Sequence, residues 1–208
     1  GGVAPSVEPD GGGEHRLDPS VPCLAPGQRE AIERELDGNR RALAAAGLLP
    51  PARPEQVSLQ WPLLGLAPAY GWHGISAFVD LNPANPNQLL DWNCGTRTYD
   101  VSGYNHAGVD LFTWPFGWLK MDESEVAIVA AAPGVIVGKS DGNYDRSCAM
   151  SSNPWNAVYV QHADGSTLWY GHMKNGSTTV KAVGEAVAAG EYLGMVGSSG
   201  SSTGPHLH

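Results

Sequence analysis

Charge is scarce in this sequence. Charged residues make up 16% of its 208 positions, against roughly 25% in an ordinary globular chain. Basic residues are scarcer still: 12 Lys and Arg stand against 21 Asp and Glu, a net charge of -9. A chain this acidic has no general attraction for nucleic-acid phosphates or anionic lipid. Long apolar runs are also missing. The longest, Val126 to Val137, is broken by Pro133 and falls well short of the ~20 residues that cross a bilayer. The N-terminus, GGVAPSVEPDGGGEHR, lacks a basic-then-apolar pattern, so a secretion signal is expected to have been removed or never to have stood there.

Cysteine is rare and odd in number. Cys23, Cys94 and Cys148 cannot all pair internally, and their spacing matches no zinc knuckle or CxxC pair. One disulfide with a leftover thiol is the favoured reading, Cys94–Cys148 the preferred pair, and three buried free thiols the alternative. What the chain has in quantity is Gly (27) and Pro (16). That composition predicts many turns, and so short strands and loops rather than long helices. The length suits one domain with an extension and suffices for a real core.

Residues 1–20 read as a disordered tail of Gly, Pro and acidic residues. Residues 21–58 read as a helical extension and Pro-rich linker. The helix is expected over 26–47, from Pro26 to the stop at Gly47, with Ile32, Leu36, Leu43 and Ala46 as its apolar stripe. Glu30–Arg34 and Asp37–Arg41 stand at i,i+4. Leu49 to Pro54 cannot continue it. This helix is expected to pack or to belong to a pro-segment, not to form a site. Residues 59–208 read as one mainly antiparallel β domain, because no alternating helix–strand pattern occurs. A loop is marked at 82–87. Strands are expected around 125–132 and 134–138, in a hairpin turning at Asp164-Gly165, and at 181–184 and 191–196.

Three histidine-bearing segments carry the chemistry: His106-Ala-Gly-Val-Asp110, Trp169-Tyr-Gly-His172-Met, and a Gly/Ser-rich run ending in Pro205-His206-Leu-His208. On a strand, His206 and His208 point to one face. Imidazole and carboxylate both bind Zn²⁺ at about 2.0–2.2 Å, and Gly108 loosens the backbone between His106 and Asp110. Taken singly, each segment also fits surface histidines, a capping Asp or a sheet-edge His. Together they offer a catalytic zinc its three ligands: His106, Asp110 and one of His206 and His208. The other of that pair and His172 are left as neighbours able to move protons.

These segments resemble those of the lysostaphin-type (LytM-like) zinc metalloendopeptidases. In that family an HxxxD motif is followed by a lone His after an aromatic–Gly pair and by GxSGxSTGPHxH. Here they read HAGVD, WYGHM and GSSGSSTGPHLH, in that order, within residues 59–208. WPFGWLKMDESE and NYDRSCAMSSNP stand as insertions between the first two. The resemblance implies Zn²⁺ on His106, Asp110 and His208, with His172 and His206 as the catalytic pair. It implies a compact antiparallel domain with a groove floored by the sheet. It also implies cleavage of Gly-containing peptide bonds in peptidoglycan cross-links, or in Gly-rich proteins such as elastin. The cysteine content and a removed signal favour a secreted, periplasmic or envelope location, and a monomer is expected. The family's chain continues past the HxH motif, so a stop at His208 suggests a truncated domain.

Two other readings compete: a metal-free cell-wall-binding or hydrolase-activating module on the same scaffold, and a structural zinc site. All five site residues are present, which favours the enzyme. No Cys lies near the motifs, which disfavours structural zinc. Tyr104 and Tyr70 could line the groove or donate to an oxyanion, and Asn105 could support a ligand. Trp114, Trp118 and Trp155 are placed in loops, either for binding or to cover the sheet. His15, His73 and His162 are read as surface residues without function.

Overall fold

The computed structural model describes residues 24–54, 56–67, 71–80 and 106–208. The expected tail over 1–20 and loop over 82–87, Tyr70, Tyr104, Asn105, His15, Cys23 and Cys94 lie outside them. Cys148 is an exposed free thiol; the partner expected for it, Cys94, is outside the described residues.

Helix α1 spans Pro26–Ala45. Proline suits the first turn, where its missing N–H has no partner to lose. Gln28 Oε1 accepts from the Ala25 N–H at 3.1 Å. At the other end Gly47 adopts φ 69°, and the Gly47 and Leu48 N–H groups donate to the Ala44 and Leu43 carbonyls. This is the left-handed closure that glycine permits. Leu36 and Leu43 are buried and pack with Val137, Trp155, Ala157 and Tyr159, with Ile32 partly buried beside them. Ala46, expected in that stripe, is exposed at the cap. Glu30 and Arg34 pair at 3.7 Å, but Asp37 pairs with Arg40 at 2.6 Å rather than with Arg41. Arg40 stays there because it also bonds Gln161 and Thr167 on the sheet.

The strands pair antiparallel in three small sheets. The first orders β1 (Leu63–Gly65), β4 (Val126–Val129) and β9 (Tyr192–Met195). The second orders β10 (His206–Leu207), β3 (Asp110–Thr113) and β2 (His73–Ala77). The third orders β7 (Thr167–Tyr170), β6 (Ala157–His162), β5 (Gly134–Ser140) and β8 (Ala186–Val187). The β6–β7 hairpin turns at Asp164-Gly165 as the sequence predicts. Gly165 takes φ 86°, and Asp164 Oδ1 accepts from the Ser166 N–H. The strand expected at 181–184 is absent. Those residues form turns, and the short β8 pairs with β5 instead. A second helix, α2 (Gly117–Asp122), stands inside the first expected insertion. Lys174 Nζ bonds its last carbonyls.

The main core joins Ile128, Ile136, Val158, Val160, Met173, Leu193 and Leu207. It lies under the edge where β3 and β10 meet. His206 stands opposite Phe112 and Leu207 opposite Leu111. Leu207 therefore anchors in the core, while the histidines on either side of it face the opposite way.

Candidate metal centre

Asp110 opens β3, and His106 precedes it by one short turn. His206 and His208 arrive on and just beyond β10, the neighbouring strand. The Asp110 carboxylate is fully buried. It lies 3.2 Å from His106 Nε2, 2.8 Å from His208 Nδ1 and 3.9 Å from His206 Nε2. The two histidines of HxH thus share a face, as strand alternation requires.

Backbone carbonyls fix the tautomers. A carbonyl only accepts, so each ring nitrogen facing one carries the proton. His106 Nδ1 donates to the Phe78 carbonyl at 3.2 Å. His172 Nδ1 donates to the Ser199 carbonyl at 2.6 Å, and His206 Nδ1 to the Gly204 carbonyl at 2.8 Å. In all three the neutral ring presents an Nε2 lone pair. His172 Nε2 is buried with no hydrogen-bond partner among the described residues. The His172 ring lies 4.4 Å from that of His206 and 5.9 Å from that of His208. His172 also adopts φ 57°, a left-handed conformation uncommon in non-glycine residues and often found where a fold holds a side chain for function.

The donor set fits a divalent ion. Ligand atoms about 2.1 Å from one tetrahedral zinc stand about 3.4 Å apart. One nitrogen or oxygen each from His106, Asp110 and His208 lie within 4.8 Å of one another, and the contacts of 3.2 and 2.8 Å are near that spacing. An ion there would replace the proton between His208 Nδ1 and Asp110 and compensate a buried carboxylate that is costly to leave charged. Glycine at 108 has a steric reason. A Cβ there would come within 2.8 Å of His208 Cε1 and Nε2.

Trp155 supports the cluster from below, its ring 5.1 Å from His172 and 5.8 Å from His208. It is buried, which decides between the two roles open to it. Gly171 leaves it room, since a Cβ there would fall 2.2 Å from its ring. Asn156, also fully buried, accepts from the Asn143 N–H and donates to the Asn143 and Met173 carbonyls. That network fixes the segment after His172, and no sequence motif marks it. Trp118 is half-buried beneath the Arg146 guanidinium, and Trp114 is exposed.

His162 and His73 stand outside this cluster. His162, expected at the surface, is buried: it ends β6 facing the core side and donates from Nδ1 to the Pro133 carbonyl at 2.9 Å. His73 is half-buried against Trp72, and burial holds its imidazole below the usual range. Burial pushes the Tyr170 phenol up to about 12 despite the Ala131 N–H that bonds it.

A pocket of about 490 Å³ opens beside His208 over the sheet. Its floor includes Leu111, Tyr170 and Leu207, and residues Leu59 to Pro62 form one wall. Among the described residues, no helix is long and apolar enough to cross a membrane.

Residues 105–208 match the family model for peptidase family M23. Over 104 residues the chain is 38% identical to the DD-carboxypeptidase/endopeptidase Mpg of Neisseria meningitidis, covering 50% of this chain and 19% of that protein. It is 31% identical over 122 residues to the glycyl-glycine endopeptidase ALE-1 of Staphylococcus capitis, covering 59% of this chain and 28% of that one. The chain thus spans about a fifth to just over a quarter of these relatives' lengths. A crystal structure of a Pseudomonas aeruginosa protein assigned to peptidase M23 is 24% identical, with 88% of this chain and 56% of that chain covered and a TM-score of 0.41.

Proposed function

The chain belongs to peptidase family M23, and on that premise we propose that it is a zinc-dependent endopeptidase. Its substrates are Gly-containing peptide bonds, first of all in bacterial peptidoglycan cross-links. It acts as a monomer, secreted or in the cell envelope. The observation that carries this reading is one arrangement of side chains. Three ligand atoms of His106, Asp110 and His208 converge within 4.8 Å, while two further imidazoles beside them keep a lone pair on Nε2. The named activities of the two relatives, a DD-carboxypeptidase/endopeptidase and a glycyl-glycine endopeptidase, support peptide hydrolysis and a cell-wall substrate.

His106, Asp110 and His208 would hold the ion. When bound, zinc supplies Lewis-acid polarisation of the scissile carbonyl and brings the pKa of a water toward neutral. The chain's own groups then move the proton. His172 Nε2 is free to accept it, because Nδ1–H is committed to the Ser199 carbonyl. That carbonyl stabilises the imidazolium that results. His206 has the same polarity through Gly204. Between them the two imidazoles take the proton from water, stabilise the oxyanion and return a proton to the leaving amine.

Metal analysis of the purified chain by mass spectrometry, joined to cleavage of pentaglycine and isolated peptidoglycan, tests this. One zinc per chain with turnover of either substrate is expected. Zinc without turnover would favour a structural site. No zinc would favour a binding or activating module.

A further inference from the structure

We propose that Arg29, carried by α1, anchors a carboxylate of the peptide substrate in the pocket beside His208. This deepens the peptidase reading and rests on it. Among the described residues the pocket is lined mainly by neutral groups, with Arg29 as its one full positive charge and no Asp or Glu. In a chain of net charge -9, that placement is selective. A neutral, partly enclosed wall strengthens a charge–charge contact relative to open water, and a guanidinium matches a carboxylate with two parallel N–H bonds.

Arg29 is held in place for this. Its Cζ lies 5.0 Å from the centroid of the Trp169 ring, which it covers. The helix beneath it is docked by Leu36 and Leu43, and Gln28 Nε2 donates to the Ser152 and Asn153 carbonyls. Its own carboxylate neighbour is a loose one. Glu33 lies 4.0 Å away, with the Arg29 side chain partly exposed and that of Glu33 exposed, a pairing worth little. Guanidinium donors are therefore available to a ligand. Gln60 and Pro62, which also line the pocket, are fixed as well: the Gln60 N–H donates to the Ala131 carbonyl, and the Pro62 carbonyl accepts from the Val129 N–H, both at 2.8 Å. His208 lines the same pocket. A short uncharged peptide stretch lying along it would bring a backbone amide to the metal centre and a carboxylate to Arg29. The occupant is thus a peptide with a free carboxylate a few small residues from the bond cut.

The test uses the zinc-loaded full chain and an uncleavable probe. N-methylated acetyl-Ala-D-Ala-D-Ala is titrated with its terminal carboxylate free and again as the carboxamide, by calorimetry. The carboxylate form should bind about tenfold tighter or more, the size of a charged hydrogen bond. Arg29→Gln should remove that preference and leave the carboxamide affinity unchanged. Arg29→Lys should keep part of it, since the charge stays and the fork is lost. Equal affinity of the two forms for the wild-type chain overturns the proposal, as does failure of both to bind or a preference that survives Arg29→Gln. The first comparison needs no variant, so a misfolded one cannot shelter the idea. Peptidoglycan turnover without an Arg29-dependent preference sinks the anchor alone. Carboxylate binding without hydrolysis of any peptide sinks the peptidase reading alone.

Discussion

Beneath α1 the protein buries carbon; where β3 meets β10 it buries imidazole. The first region joins Leu36, Leu43, Val137, Ala157 and Tyr159. Its energy comes from area removed from water, without orientation. The second holds His106, Asp110, His172 and His206, each at most 1% exposed. Every one of these polar groups carries a desolvation penalty that only a well-placed partner offsets. The partners are mostly backbone carbonyls, of Phe78, Ser199 and Gly204. Trp155 belongs to both regions. Its ring completes the apolar cluster and lies 5.1 Å from His172. Its Nε1–H meanwhile donates to the Tyr159 hydroxyl. The contrast assigns stability to one side and chemistry to the other, with a single indole between them.

The sharpest way to break that division is His172→Ala. The side chain is fully buried, so a purely structural role would show as lost folding. A proton-transfer role predicts a different pattern: kcat/KM falls by about 10²- to 10⁴-fold while one zinc per chain is retained. Peptidoglycan cleavage and metal content measured on the same sample separate the two. Near-normal turnover would remove His172 from the mechanism.

Leu36→Ala probes the other side. Leu36 is 1% exposed, and truncating a leucine so buried costs about 2–5 kcal/mol. Denaturant unfolding should show that loss, while kcat/KM per folded molecule stays within about twofold. A large drop in the activity of the folded fraction would mean that α1 tunes the histidines through Trp155, and the two regions would no longer be separable.

These two regions are unequally legible in the sequence, for physical reasons. The apolar periodicity of Ile32, Leu36 and Leu43 and the Asp164-Gly165 turn are local signals, and both placed their elements correctly. HxxxD and PHxH name side chains directly, so the convergence on Asp110 was legible too. His162 is buried rather than exposed because its Nδ1 bonds the Pro133 carbonyl, just before the neighbouring strand β5. Lys181 to Gly184 looked strand-like, yet the turn there feeds β8. The Ser199 and Gly204 carbonyls that set the imidazole tautomers are backbone atoms, and no residue type announces them. Arg29 escaped notice for a related reason: its helix has a clear packing role, and only the fold brings it to the rim of a pocket beside His208.

Gly108→Ala makes the finest cut between the two regions. It leaves both all-carbon clusters untouched and all five site residues in place. The added methyl would stand 2.8 Å from the His208 ring, closer than a real Cβ tolerates. The ring can yield only by turning, because β10 is fixed to β3 through Leu207. Turning moves Nδ1 away from Asp110, at present 2.8 Å distant. Misplacing a ligand's support in this way typically weakens metal binding by about 10- to 100-fold. Zinc affinity measured by competition with a chelating dye should fall by that factor, with the melting temperature of the metal-stripped chain shifted by only a few degrees. If affinity holds and stability falls instead, the glycine serves the backbone of the turn between His106 and Asp110, and the imidazole side of the comparison rests on packing after all.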